Sequence, residues 1–253
     1  MGYSYVPLKL KSEVIRIRTI SMITAEILEE LRDYVIPDVS TEEISNICLK
    51  LIKKKNVDAG LLGYEGFPAP ICISVNHVAA HGIPNKYILK NGDIVTLDLT
   101  AGLGGWYGDC AITLKVGEIT EEKHKLIGAA YKATKAGIKA AVAGCRMGDI
   151  GFAINESAEN DGFTILKNFI GHGIGNDIHE EPAVLHWGER GSGRPVVPGM
   201  VFTIEPIITM GKDDVETLPD GWSMITKDRM PTAQFEHTIA IFSDHTEILT
   251  RLK

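Results

Sequence analysis

The chain has 253 residues, of which 44% are hydrophobic and 23% are charged, a composition typical of a folded protein with a buried core. Its formal net charge of -7 excludes a general nucleic-acid binder, because such proteins carry an excess of Lys and Arg to neutralise phosphates. The sequence also has no apolar run long enough to span a bilayer, so we expect no membrane-spanning helix.

The four cysteines are far apart and form no CxxC pair; they are Cys48, Cys72, Cys110 and Cys145. Disulfide frameworks and structural zinc sites use closely spaced cysteines, so this distribution favours reduced thiols. No segment resembles a signal peptide. We therefore expect a protein of the cytoplasm.

The first two predicted elements are helices. An apolar pattern of nearly helical spacing runs from residue 12 to about residue 34, and Pro37 ends it. The sequence STEE at residues 40–43 is a capping box, which predicts a second helix through about Lys55.

Strand-like segments follow, and then the order repeats. Residues 71–116 contain β-branched runs broken by Gly and Asn, whereas residues 121–143 and 148–160 have helical patterns. Three further strand-like runs come next: TILKNFI, MVFTIEPII and FEHTIAIF.

Two helices followed by strands, twice over, predict duplicated halves around one central sheet. The halves cover about residues 12–116 and 121–242, and each contains one His-Gly-Ile, beginning at His81 and His172. The alternative is coincidence, because an α+β order of elements is common in unrelated chains.

Four acidic residues interrupt the apolar strand-like runs. Asp98 lies in TLDL, Asp109 in YGDCAI, Glu205 in FTIEPII and Glu236 in QFEHTIAI. Each one alone is more often a turn, cap or salt-bridged residue. Together, four carboxylates that face one interior would repel each other strongly unless a cation offsets their charge. The pattern therefore predicts a metal site.

The imidazole of His172, in the glycine-rich GHGIG, completes this candidate ligand set. Oxygen ligands with one imidazole and no thiolate suit Mn, Fe, Co or Zn in a site other than a structural zinc site. Five side chains exceed what one ion with an open position needs, so two ions bridged by carboxylates are the simplest interpretation. The glycine-rich AGLGGWYG predicts a hairpin that brings Asp98 and Asp109 to the same end.

In this order, the segments GDIVTLDL, YGD, GHGIG, FTIEPII and AQFEHT resemble the type I bacterial methionine aminopeptidases. The resemblance covers the chain from the first helix to residue 242. It implies the pita-bread fold of the α+β class, in which pseudo-twofold halves place helices on one face of a central antiparallel sheet. It also implies a single catalytic domain over residues 1–253.

The resemblance further implies a role for each candidate ligand. Asp109 and Glu236 would bridge two divalent ions, with Asp98 holding one ion and His172 and Glu205 the other. The ions would be Co, Mn, Fe, Zn or Ni, and their identity stays open.

The implied activity is removal of the initiator methionine from nascent proteins and peptides that have a small second residue. Glu205 would also move protons during metal-assisted amide hydrolysis. His179 would contact the substrate carbonyl, and His81 the scissile amide and the residue after it.

By the same resemblance, the methionine side chain would lie in a pocket at the substrate site, which consists of Tyr64, Phe67, Cys72, His81, Ile178, His179 and Trp222. The sequence departs from the relatives at Leu61 and at Ala79 and Ala80, so the shape of the pocket is not defined by the resemblance. The remaining histidines are expected to be surface, structural or supporting residues: His77, His124, His186, His237 and His245.

Two alternatives are considered. Prolidases and Xaa-Pro aminopeptidases share the fold and ligands but generally carry an additional N-terminal domain, and a non-catalytic pita-bread protein would lack the ligands. The type II methionine aminopeptidases have a helical insertion between the histidine and the first glutamate. The interval from His172 to Glu205 is too short to contain that insertion.

The expected partner is the N-terminal peptide of nascent proteins, with transient ribosome association left open. We expect a monomer that binds neither nucleic acid nor a membrane.

Overall fold

The helices follow the sequence prediction closely. The computed structural model describes residues 4–251, and within this range two helices precede each of two groups of strands. The helices are α1 (Lys11–Arg32), α2 (Thr41–Lys55), α3 (Glu121–Ala140) and α4 (Met147–Asn160). Within residues 4–251, no helix is both long enough and apolar enough to cross a membrane.

The predicted capping box begins α2. The Ser40 hydroxyl accepts a hydrogen bond from the Glu43 N–H at 3.2 Å, and the Glu43 carboxylate accepts one from the Ser40 N–H at 2.8 Å. Two N–H groups that would otherwise lack partners are satisfied in this way, so the start of α2 is fixed by local sequence.

The strands of the described residues pair in an antiparallel manner and belong to four hydrogen-bonded sheets. They are β1 (Asp58–Ala59), β2 (Cys72–Val75), β3 (Val78–Ala80), β4 (Ile94–Leu103), β5 (Trp106–Lys115), β6 (Thr164–Ile165), β7 (Gly171–Gly173), β8 (Glu180–Val184), β9 (Val201–Ile204), β10 (Ile207–Thr209), β11 (Val215–Thr217), β12 (Met224–Thr226), β13 (Thr232–Gln234), β14 (His237–Ile241) and β15 (Thr246–Ile248). Their orders are β1-β4-β2 with β5 beside β4, β13-β10-β6, β11-β12-β3, and β15-β14-β9-β7-β8. The predicted central sheet is thus divided into four parts.

The longest pairing is the hairpin of β4 and β5. It runs through ten residue pairs, from Ile94 opposite Lys115 to Leu103 opposite Trp106. Gly104 and Gly105 form the turn with φ angles of 58° and 76°, which glycine adopts without the steric cost that other residues meet. This hairpin confirms the prediction from AGLGGWYG.

One face of the hairpin is covered by the first two helices. Leu97, Leu99 and Cys110 on this face pack in one buried cluster with Leu28 and Leu31 of α1 and with α2 side chains. Because side chains alternate across a strand, the intervening residues of β4 and β5 point away from the helices. The helices therefore cover one face of this sheet, as predicted, and the other face is available for a site.

Two strand-like runs differ from the sequence prediction. Residues 164–170 contain strand only at Thr164–Ile165. The run at residues 200–208 is split into β9 and β10, with Glu205 and Pro206 between them. Proline has no N–H to donate to a ladder, so the pairing is interrupted where Glu205 turns out of the sheet.

Hydrogen bonds join β5 to the last strands of the chain. The Thr238 hydroxyl donates to the Asp109 carbonyl at 2.7 Å and accepts from the Asp109 N–H at 3.2 Å. The Glu236 N–H donates to the Ala111 carbonyl at 2.9 Å. These bonds bring residues from the last strands alongside the edge of β5 that is not paired with β4.

Candidate metal centre and substrate cleft

One cavity of about 600 Å³ contains all five predicted metal ligands. Asp98 and Asp109 lie on β4 and β5, and His172 lies on β7. Glu205 follows β9, and Glu236 lies between β13 and β14. The sequence separates these residues widely, and the fold collects them around one space.

The hairpin register directs both aspartates into the cavity. Asp98 is opposite Ala111 and Thr100 is opposite Asp109, so the two carboxylates are diagonal neighbours on one face. The Thr100 hydroxyl donates to Asp109 Oδ2 at 2.9 Å. A shift of one residue in the register would turn one carboxylate into the helix-covered core.

The position of the His172 ring depends on the glycines on either side of it. A Cβ atom at Gly171 would lie 2.4 Å from the Thr203 carbonyl oxygen, and one at Gly173 would lie 2.1 Å from the Glu181 carbonyl oxygen. The glycines therefore allow β7 to approach its neighbouring strands closely enough to place the imidazole. The ring Nε2 lies 3.5 Å from Glu205 Oε1 and 3.9 Å from Asp109 Oδ2.

Two polar groups hold Glu205. The Thr203 hydroxyl donates to its Oε1 at 2.6 Å, and its own N–H donates to His186 Nε2 at 3.3 Å. His186 is completely buried, and burial lowers its pKa to about 3, so its ring is neutral and can accept this bond.

The cluster contains buried carboxylate oxygens without a hydrogen-bond partner, namely Asp109 Oδ1 and Glu236 Oε1. Burial raises the pKa of Asp98 to about 7. Burial, and after it the charges of neighbouring carboxylates, raises the pKa of Asp109 and Glu236 well above the usual range. Burial also raises the pKa of Glu205, while the Thr203 hydrogen bond acts in the opposite direction. Such a cluster is stable as a set of anions only when a cation shares the cavity.

The donor atoms fit a divalent metal. One ligand atom each from Asp109, His172 and Glu236 lies within 4.8 Å of the other two. Burial lowers the pKa of His172 to about 3, so the ring is neutral and able to bind a metal. The nearby thiols of Cys72 and Cys110 have raised pKa values because of burial and are poor ligands, which leaves an oxygen-rich set with one imidazole.

Aromatic side chains and two histidines form another part of the cavity wall. Phe67 and Trp222 meet edge to face at 5.3 Å between ring centroids, and His81 lies 6.3 Å from Trp222. The Tyr64 hydroxyl is 2.9 Å from His179 Nδ1, and the His179 ring is 4.3 Å from the His172 ring. The cavity thus joins an apolar pocket to imidazoles that adjoin the carboxylates.

The fold brings most predicted substrate residues together, with one exception. Tyr64, Phe67, Cys72, His81, His179 and Trp222 all line the cavity. Ile178 is 3% exposed and is not part of the lining, although its backbone interacts with the ring of His172. Leu61 and Ala80, where the sequence departs from its relatives, also line the wall.

Several further polar residues at the site were not predicted from the sequence, and three of them adjoin the glutamates or the cavity. Gln234 lines the cavity, and Thr203 and His186 bond to Glu205. The alternation of side chains offered a signal for two of them, because Thr203 and Gln234 are two residues before Glu205 and Glu236. His186 had no such signal, since its contact with Glu205 depends on the tertiary fold.

Comparison with known proteins identifies relatives of this geometry. The chain matches metallopeptidase family M24 over residues 16–242. It is 39% identical over 246 residues to the methionine aminopeptidase of Rickettsia prowazekii, covering 97% of this chain and 95% of that protein.

Solved structures show the same relationship. The crystal structure of the Rickettsia prowazekii enzyme superposes with a TM-score of 0.96 over 98% of this chain and 100% of that chain, at 39% identity. The prolidase from Pyrococcus furiosus superposes with a TM-score of 0.77 at 21% identity, and this chain covers 66% of it. The likeness to the prolidase is one of fold alone.

Proposed function

Because the chain belongs to metallopeptidase family M24, we propose that it is a methionine aminopeptidase, which hydrolyses the amide bond after an N-terminal methionine. The observation that carries this proposal is the joining, in one cavity, of the Asp109, His172 and Glu236 cluster with the apolar pocket at Phe67 and Trp222. Near-complete coverage of curated methionine aminopeptidases supports it further.

The ligand set supports a site for two divalent ions. Asp98 would hold one ion, His172 and Glu205 the other, and Asp109 and Glu236 both. Four carboxylates and one imidazole accept Co, Mn, Fe, Zn or Ni, so the residues leave the identity of the metal open. When bound, the ions would lower the pKa of a water and polarise the substrate carbonyl.

Glu205 is the proposed proton carrier. Its Oε1 already receives the Thr203 hydroxyl, so the other oxygen is free to take a proton from the attacking water and to return it to the leaving amine. Burial raises the pKa of Glu205, which is the direction that suits a carboxyl group that must hold a proton between the two steps.

Two imidazoles would orient the substrate. His179 is exposed at the cavity, and its Nδ1 faces the Tyr64 hydroxyl, so its Nε2 can donate to the substrate carbonyl oxygen. His81 lies between Phe169 and Trp222, where it would contact the scissile amide and the residue after methionine. Side chains with little volume would be preferred at that second position, because the aromatic rings around His81 limit the space.

The methionine side chain would lie against Phe67, Cys72 and Trp222, which share one apolar cluster. An unbranched thioether packs well against aromatic rings. Tyr64 completes the proposed pocket at its rim. We expect Ile178 to support the site from behind the wall, because it is buried outside the cavity lining.

The proposal extends to the domain organisation, oligomeric state, location and partners of the protein. A single catalytic domain with two related halves is supported by the repeated order of helices and strands. We propose a monomer of the cytoplasm that acts on the N-terminal peptides of nascent proteins and associates transiently with the ribosome. The four free cysteines are consistent with a reducing compartment.

The test is metal content together with substrate choice. Purified protein should bind about two equivalents of Mn²⁺ or Co²⁺ and should cleave Met-Gly-Met while leaving Gly-Pro intact. Cleavage of Gly-Pro without cleavage of Met-Gly-Met would favour a prolidase instead. Failure to bind metal, or to cleave either peptide with metal bound, would refute the proposed enzyme.

A further inference from the structure

We propose that Thr203 is a positioning residue that joins His172 and Glu205 into one metal-binding unit. This inference rests on the proposed function, in which both neighbours are metal ligands. Thr203 itself faces no open space, since its relative exposure is 0%. Its role would be exerted through the two residues to which it is bonded.

The Thr203 hydroxyl makes one bond in each direction. It accepts a hydrogen bond from the His172 N–H at 3.0 Å and donates one to Glu205 Oε1 at 2.6 Å. A hydroxyl can do both at once, because it has one proton and two lone pairs. The result is a continuous connection from the backbone of one ligand to the carboxylate of the other.

The local pairing explains why this connection is needed. Strands β7 and β9 pair only at Gly173 opposite Phe202, so His172 receives little support from a backbone ladder on this side, whereas β8 pairs with Gly171 and Gly173 on the other. A buried N–H must nevertheless have a partner, and the Thr203 hydroxyl supplies it. Because Gly171 has no side chain, β7 can approach the Thr203 carbonyl closely enough for this hydrogen bond to form.

The connection fixes the spacing of the two ligands. His172 Nε2 and Glu205 Oε1 are 3.5 Å apart, a separation at which both can face one ion. Without the hydroxyl, the His172 N–H would be buried without a partner and the Glu205 carboxylate would lose its orienting bond. Each loss allows the two side chains to move independently, and the metal would then bind less tightly.

The experiment compares Thr203→Val with Thr203→Ser. Mn²⁺ alone is titrated into metal-free protein and followed by isothermal titration calorimetry. Thr203→Val keeps the branched shape and removes the hydroxyl, so we expect Mn²⁺ to bind about 10–100-fold more weakly. Thr203→Ser keeps the hydroxyl and should bind within about 3-fold of the parent chain.

A matched control separates this effect from the general cost of losing a buried hydroxyl. Thr226 on β12 is also fully buried, and its hydroxyl donates to the Met230 carbonyl at 2.8 Å outside the cavity. Thr226→Val should leave Mn²⁺ affinity unchanged even where it lowers thermal stability. Should Thr203→Val fail to fold, Thr203→Ala and Thr203→Ser provide the same comparison with and without the hydroxyl.

Two results would overturn the inference, and a third would refute the proposed function. Parent-like Mn²⁺ affinity in folded Thr203→Val would overturn the inference, and so would equal weakening in Thr203→Ser and Thr203→Val. A parent chain that binds no metal would instead refute the proposed function, because Thr203 would then have no ligands to position.

Discussion

The two groups of proposed metal ligands are built in different ways. Asp98 and Asp109 belong to one hairpin, where ten consecutive residue pairs set their positions. His172, Glu205 and Glu236 lie on or beside strands of three to five residues, and side-chain or long-range bonds hold them in place. The hairpin defines its ligands through the backbone, whereas the later segments define theirs through individual hydrogen bonds.

This difference indicates a division of roles within the site. A regular ladder gives rigid placement, which suits residues that only bind a metal. Residues at strand ends can approach a substrate or move a proton, because their backbones are not continued into a ladder. Substitutions in the two regions should therefore have different consequences.

The largest expected effect would be in the later segments. Glu205→Gln should lower kcat by about 10²–10⁴-fold, because the carboxamide cannot carry a proton and is a weaker ligand. The measurement is steady-state cleavage of Met-Gly-Met at saturating Mn²⁺. Glu181→Gln is the control, since it makes the same change in another residue that lines the cavity. Parent-like turnover in Glu205→Gln would break the proposed division.

His81→Ala tests a residue that precedes the hairpin and is proposed to contact the substrate rather than the metal. We expect activity to fall by about 10²-fold, the loss that follows removal of one oriented donor, while metal content stays the same. Elemental analysis and peptide cleavage provide the two measurements. His77→Ala, four positions earlier and outside the cavity lining, is the control. Loss of metal from His81→Ala would mean that His81 is itself a ligand.

The metal-free protein offers a test of hairpin electrostatics. Burial raises the pKa of Asp98 to about 7, above its ordinary value of 3.8, so the folded state keeps a proton that the unfolded state has lost. Stability should consequently fall as pH rises through 7. Buried histidines such as His172 have lowered pKa values and act in the opposite direction up to about pH 7.5, because unfolded histidine is half protonated at pH 6.5 and loses its remaining charge about one pH unit higher.

Thermal unfolding at pH 6.5 and pH 8 measures this effect. The metal-free chain should unfold several degrees lower at the higher pH. Asp98→Asn should reduce the difference, and saturating Mn²⁺ should remove it. A metal-free melting temperature that rises between these pH values would show that the carboxylates do not dominate the pH dependence of stability.

The smallest predicted effect involves a contact of the later segments with a residue that precedes the hairpin. The Tyr64 hydroxyl, from a 3₁₀-helical turn at Tyr64–Gly66 before the hairpin, bonds to His179 Nδ1 in the later segment. Tyr64→Phe should reduce kcat about 3–10-fold, which corresponds to loss of one hydrogen bond that orients the ring. Tyr87→Phe is the control, because it removes a hydroxyl bonded at 3.0 Å to Asp93, away from the cavity. Equal kinetic effects in both variants would exclude a specific role for Tyr64.

Local sequence predicted the elements better than it predicted their connections. The capping box at Ser40 and the hairpin turn at Gly104 and Gly105 depend on neighbouring residues, so both were predictable. The division of the strands into four sheets and the break at Pro206 depend on pairing across the chain. Local periodicity carries no information about which distant strand is the partner.

The same distinction applies to the site. The acidic residues were recognised because a carboxylate in an apolar strand requires compensation wherever it lies. Thr203 and His186 are ordinary in the sequence, since a buried threonine or histidine is often structural. The His186 bond to Glu205 exists only after the segment that follows β8 has been brought against the segment after β9. Thr203 is two residues from Glu205, and its second bond, to the His172 N–H, depends on the pairing of β7 with β9.

The long-range bond from the Glu236 N–H to the Ala111 carbonyl has a consequence for the order of events during synthesis. The hairpin is made from local contacts and can form soon after residue 115 has been translated. Asp98 and Asp109 would then lack the last proposed ligand, Glu236, until that residue has also been translated. A nascent chain would therefore contain a folded hairpin before it contained a complete metal centre, and catalytic competence would arrive only after residue 236 had been translated.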